Sequence, residues 1–140
     1  MQLSDRQQEI IGEFQFFDSW MDKYQYLIDL GHELEPLTEE EKNENNLVRG
    51  CQSQVWMVVD GDAANVTIRA NSDAAIVSGL IALVVRLYSK ASAEEIIKTE
   101  PEFVEALGLS QHLSPTRANG LASMLQRLKA ETAQLIAKSS

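Results

Sequence analysis

The 140-residue chain contains one cysteine, Cys51, so no disulfide can close within it. One thiol and two separated histidines, His32 and His112, are too few for a cysteine-rich zinc site or a four-thiolate cluster. Whatever Cys51 does, it does alone or against another molecule. Basic residues are also scarce: 12 Lys and Arg face 21 Asp and Glu, for a net charge of −9. Phosphate backbones repel such a chain, and no basic stripe relieves this, so no nucleic-acid partner is expected. The acidity could instead steer a basic protein partner. No apolar run is long enough to span a bilayer, so no membrane association is expected. Met1–Asp5 lacks the basic-then-apolar layout of a signal peptide, which makes the cytoplasm the expected compartment; Asn65-Val66-Thr67 then reads as a chance glycosylation pattern.

What remains is ordinary for one compact unit. The hydrophobic fraction is 44%, enough to bury a core, and no repeat or low-complexity stretch divides the chain, so residues 1–140 read as a single domain. Ser4 to Gln7 has the form of a capping box, which predicts a first helix starting near Asp5 with Ile10, Ile11 and Phe14 on its apolar stripe. Trp20, Tyr24, Leu27 and Ile28 share one helical face, predicting a second helix from about Asp18 that Gly31 would end as a C′ residue. Both helices form a hairpin around Phe16 and Phe17. The acidic stretch from Glu35 to Asn46 reads as a solvated surface connection, with a short helical turn capped between Thr38 and Glu41.

Strands follow. Leu47-Val48 suggests a short edge strand. Val55–Val59 is an apolar, β-branched run, and Val66–Ala70 alternates with period two. Asp60-Gly61-Asp62 between them signals a hairpin turn. Ser72-Asp73 offers a cap for a third helix whose stripe (Ile76, Val77, Leu80, Ile81, Val84, Tyr88) runs to about Ser89. Gly79 lies inside that helix at a cost of about 1 kcal/mol against alanine, a sign of close packing. Ser92 with Glu95 caps a short helix, another covers Glu102 to Leu107, and Ser114-Pro115 starts the last. The order predicts an α+β fold: a small antiparallel sheet of about three strands, packed on one face by helices.

Cys51 lies in Arg49-Gly50-Cys51-Gln52-Ser53-Gln54. A lone cysteine is often a buried, inert small hydrophobe, but these neighbours are small and polar. Gly50 permits unusual backbone angles and leaves space beside the thiol. Arg49 is near enough in sequence to favour the thiolate. A thiolate attacks a partner's persulfide as it attacks a disulfide, and needs neither metal nor cofactor. His112 could serve as a base for Cys51, though it also reads as a surface residue near a helix start. Arg117 in the first turn of the last helix is disfavoured by the dipole, which hints at a partner; Asp73 is a candidate carboxylate. Trp20, Tyr24 and Trp56 read as core-edge aromatics.

Gly50-Cys51-Gln52-Ser53-Gln54-Val55-Trp56 resembles the cysteine loop of the SufE family of cysteine desulfuration proteins. Ser72–Ala82 resembles that family's central helix, Leu109–Leu121 the start of its last helix, and Trp20, Tyr24, Leu27 and Leu30-Gly31 fit its N-terminal spacing. The resemblance spans nearly the whole chain. It implies a fold similar to the U-type iron–sulfur scaffold proteins, and a sulfur carrier rather than a stand-alone enzyme. Cys51 would take sulfane sulfur from a SufS-like cysteine desulfurase as a persulfide, stimulate that desulfurase, and pass the sulfur to an iron–sulfur scaffold complex. The pyridoxal phosphate belongs to the desulfurase, and the carrier has no cofactor or metal of its own. Gly50, Gln52, Ser53, Asp73 and Arg117 would support the loop or touch the partner, and a homodimer is implied. A CsdE-type acceptor, serving a different desulfurase, shares these motifs. A cysteine hydrolase using Cys51 and His112 is the alternative enzyme class, beside a passive scaffold and a non-catalytic interaction module.

Overall fold

The structure is a computed structural model that describes residues 2–139. Two helices, α1 (Leu3–Phe14) and α2 (Trp20–His32), precede a hairpin of β1 (Val55–Gly61) and β2 (Val66–Ser72). Then come α3 (Ala75–Tyr88), three short helices α4 (Ala93–Lys98), α5 (Phe103–Ala106) and α6 (Leu109–His112), and the long α7 (Pro115–Ser139). The α+β class is as the pattern predicts. The strands pair antiparallel, with Val55 opposite Ser72 and Gly61 opposite Val66. Alternation then sends Val55, Met57, Val66, Ile68 and Ala70 inward, where all are buried. The largely apolar α3 packs on that face and is itself buried from Ile76 to Tyr88 along its stripe.

The expected third strand reduces to a single bridge between Leu47 and Trp56. Val48 N donates to Val55 O and Met57 N to Asn46 O, but upstream of Asn46 the side chain of Asn43 turns the backbone away by accepting from Asn46 N. The acidic stretch is also more than a solvated connection. Thr38 and Glu41 cap one another reciprocally, without forming a helix, and Leu37 is buried. Asn71 Oδ1 accepts from Leu37 N at 2.7 Å, and Glu41 takes both outer nitrogens of Arg69. Arg69 and Asn71 point to the sheet's outer face by alternation, so this segment covers the face the helices leave.

Three further expectations fail locally. The Ser4 capping box does not form: α1 starts at Leu3 with Gln2 as an N-cap lacking a side-chain bond. Gln7 is only 2% exposed because its amide donates to Glu100 O and accepts from Phe103 N. Gly31 does not end α2, which continues to His32. A Cβ on Gly31 would lie 2.7 Å from Gly79 N, so its role is backbone contact with α3. Ala74, with no side-chain bond, is the N-cap of α3 in place of Ser72 or Asp73.

Near the C-terminal end of α3, Arg86 forms a forked ion pair with Glu13 of α1, and Tyr26 of α2 donates to the same carboxylate at 2.6 Å. The Arg86 bond, with help from Tyr26, holds the Glu13 carboxyl at about 2, well below its ordinary 4.5. A carboxylate depressed on folding contributes stability that is complete above 4.5 and is lost as pH falls from there toward 2. Glu13→Gln is therefore expected to be less stable than the parent at pH 7, and to lose less between pH 5 and pH 3, read as urea midpoints at each pH. Equal losses in both proteins would mean that the pair contributes no linkage.

Candidate functional site

The cysteine loop leaves the bridge at Leu47 and rejoins the sheet at Val55. Both stalks are pinned. Upstream, Arg127 of α7 donates to Leu47 O and Asn45 O. Downstream, Asp73 Oδ1 accepts from Gln54 N at 3.1 Å, and Asp73 N donates to Gln54 O. At the tip, Gly50 has φ +92°, and an added Cβ would lie 2.5 Å from Ser123 Oγ of α7. The left-handed backbone is what favours glycine here, while the Ser123 hydroxyl could turn aside for a Cβ.

Cys51 is half-buried. Its Sγ lies 3.5 Å from Gly120 O of α7 and donates its hydrogen there. The sulfur faces a cavity of about 360 Å³ between the loop, α3 and α7. Val77, Leu80, Leu121 and Met124 supply its apolar wall, while Gln52, Ser53, Ser114 and Arg117 bring polar groups to it. Burial pushes the Cys51 thiol up from its ordinary pKa, so at neutral pH the seated sulfur is a thiol. The Gly120 carbonyl can accept from a thiol but offers only lone pairs to a thiolate. Ionisation therefore removes the hydrogen bond that Gly120 O accepts in the seated state.

A model of the SufE family, described as the Fe–S metabolism associated domain, matches residues 8–132. The chain belongs to the SufE family. It is 43% identical over 128 residues to a protein of Rhizobium meliloti (strain 1021) described as an uncharacterized SufE-like protein, covering 88% of this chain and 91% of that one. Among solved structures it is similar to the solution structure of a hypothetical protein from Thermus thermophilus, with a TM-score of 0.78 at 20% identity. That likeness covers 94% of this chain and 96% of the other, and at this identity it speaks to the fold alone. Membership of the SufE family assigns the protein to iron–sulfur metabolism.

The six residues nominated for the loop, Cys51, Gly50, Gln52, Ser53, Asp73 and Arg117, lie on or beside it, but not in every nominated pairing. Cys51, Gln52, Ser53 and Arg117 border one cavity, Gly50 shapes the tip, and Asp73 ties a stalk. Asp73 and Arg117 do not pair as suggested: Asp73 is engaged by Gln54 N, and the Arg117 guanidinium lies 6.0 Å over the Tyr24 ring. Nor does Arg49 act on the thiol, whose pKa shift has burial as its cause. His112 does not hydrogen-bond Cys51 in this structure. Its ring stacks on Trp20 with centroids 4.3 Å apart and planes 12° from parallel, while Cys51 turns to Gly120. The SufE-family loop also depends on residues the sequence reading passed over, chiefly Gly120, Ser123 and Arg127. Gly120 carried a signal: a glycine inside a helix costs about 1 kcal/mol and marks a close approach, here of the sulfur itself. Among the described residues no cluster of His, Cys, Asp and Glu could hold a metal ion, and no helix is long and apolar enough to cross a membrane.

Proposed function

We propose that this SufE-family protein accepts sulfane sulfur from a cysteine desulfurase on Cys51 Sγ, carries it as a persulfide, and relays it to a scaffold complex that builds iron–sulfur clusters. The observation that carries this reading is the placement of the only thiol at the edge of a cavity with one apolar wall and a polar rim, on a loop pinned at both stalks. In the accepting step the Cys51 thiol gives its proton to solvent. The thiolate lone pair attacks the terminal sulfur of the partner's persulfide. A new S–S bond forms at Cys51, the old one breaks, and the partner's cysteine leaves as a thiolate with the bonding pair. No net oxidation occurs and no cofactor of this chain takes part; the pyridoxal phosphate that releases sulfur from cysteine belongs to the desulfurase. Clearing the desulfurase's persulfide frees it for another turnover, which is how acceptance stimulates it. Seated again over α7, the added sulfur has room within about 360 Å³, beside Val77, Leu80, Leu121 and Met124. Handing on to the scaffold repeats the exchange in the other direction.

The test is intact mass under non-reducing conditions after incubation with a desulfurase and free cysteine. The protein gains the mass of one or more sulfur atoms, dithiothreitol removes them, and protein alkylated beforehand at Cys51 gains none. No gain with a SufS-like or a CsdE-linked desulfurase of demonstrated activity would overturn the reading. The relative gain with the two desulfurases separates a SufE-type from a CsdE-type acceptor. The hydrolase reading is weaker because the stack on Trp20 engages His112.

A further inference from the structure

Gly120, Ser123 and Arg127 recur along α7 at i, i+3 and i+7, which is one helical face. All three meet the cysteine loop in order. Gly120 O takes the thiol hydrogen, Ser123 lies against Gly50, and Arg127 grips the residues just upstream. Its Nη1 donates to Leu47 O at 3.0 Å and its Nη2 to Asn45 O at 2.6 Å. Its Nε lies 3.5 Å from Glu131 Oε2, with the two side chains 24% and 28% exposed. That carboxylate oxygen is the one buried side-chain oxygen or nitrogen without a hydrogen-bond partner among the described residues, so it acts on the guanidinium through charge. The gripped residues are themselves fixed to β1 through Asn46 and Val48. A planar fork that bonds two carbonyls at once fixes direction as well as distance.

From this track of contacts we infer that Arg127 is a positioning residue for Cys51: it clamps the upstream stalk of the loop to α7 and so keeps the thiol seated over Gly120. The inference rests on Cys51 being the reacting sulfur of the proposed function, but its test needs no desulfurase, so the two fail separately. Lys129, on the same helix, supplies the control. Its Nζ also donates to two carbonyls, those of Ile97 and Thr99, but these belong to the end of α4 and not to the loop.

The experiment measures the rate of Cys51 alkylation by iodoacetamide from pH 6 to pH 10 in the full chain. Arg127→Met keeps the aliphatic stem and removes both donors. It is expected to alkylate about tenfold faster at pH 7, the factor that follows from losing hydrogen bonds of a charged donor in the seated state. The midpoint of its pH profile shifts down as the thiol leaves its buried seat. Arg127→Lys, which keeps the charge but has no planar fork, returns the parental profile only in part, and Lys129→Met keeps it while lowering the thermal midpoint. Parental rate and midpoint in Arg127→Met would overturn the inference, as would an equal acceleration in Lys129→Met. If Arg127→Met lacks the parental circular dichroism, Arg127→Gln is read by the same criteria.

Discussion

Cys51→Ser is expected to fold as the parent does and to take up no sulfur at all from a desulfurase and free cysteine. The fold is preserved because the substitution is nearly isosteric and the position is half-buried, on a loop whose stalks are held by Arg127 and Asp73. A serine hydroxyl can donate to Gly120 O in place of the thiol, and an O–H···O bond is shorter and stronger than the S–H contact it replaces. The change in stability should stay within about 1 kcal/mol, with the urea midpoint as the measure. Uptake is abolished because the hydroxyl is not ionised at any pH the protein survives, and no second cysteine exists to take over. The effect is all or none and is read as intact mass beside the parent. Sulfur mass on the variant that dithiothreitol removes would mean that the cavity holds sulfur without a bond to Cys51, and the relay would have to be abandoned. A variant that fails to fold would be separated from one that fails to react by its urea transition.

The parts of this molecule legible in the sequence are those governed by one local rule. Periodicity marked α2, α3 and α7, and Ser92 and Ser114 capped the helices they were expected to cap; the hairpin was expected too, but Asp60 and Gly61 extend β1 opposite Thr67 and Val66, and the turn falls at Asp62 to Asn65, where Asp62 accepts from Ala64 N and Asn65 N. The failures share a cause: a side chain with a good local use was claimed by a distant partner. Gln7 could have closed a capping box but bonds Phe103 N, 96 residues away. Asp73 could have capped α3 but accepts from Gln54 N in the cysteine loop. Gly31 could have ended α2 but lies against α3. Glu41 sits in a charge run that reads as solvated, yet it pairs with Arg69 on the sheet. The candidate site divides the same way. The cysteine and its glycine stand in one heptapeptide and could be read there. The surface that seats them is a face of α7 some seventy residues on, and only Gly120 gave any hint of it.

The substitution expected to disturb the fold most is Gly79→Val. A Cβ at this position would lie 2.2 Å from Leu27 O and 2.6 Å from Leu27 C, and across the same crossing one on Gly31 would lie 2.8 Å from Ser78 C. These are backbone atoms of two regular helices, so no side chain can turn aside. Helices α2 and α3 would have to separate, opening space beside Leu27 and Leu80, both essentially buried. Overpacking usually costs about 1–3 kcal/mol, and more where the structure cannot give; with two β-branched methyls against backbone, about 5 kcal/mol is expected, enough to leave much of the protein unfolded. Gly79→Ala decides the sign. Helix propensity alone makes alanine better by about 1 kcal/mol, whereas the contact with Leu27 predicts a net loss of about 2–3 kcal/mol. Gly12 of α1, around which no atom lies within 4 Å of an added Cβ, is the matched comparison, and Gly12→Ala should stabilise by about 0.5–1 kcal/mol. Urea midpoints at constant m read all three. Stabilisation by both alanines would mean that the crossing is looser than described. Because α3 also carries Val77 and Leu80 into the wall of the cysteine cavity, any folded Gly79→Ala protein should also alkylate faster at Cys51, linking the helix crossing to the seat of the sulfur.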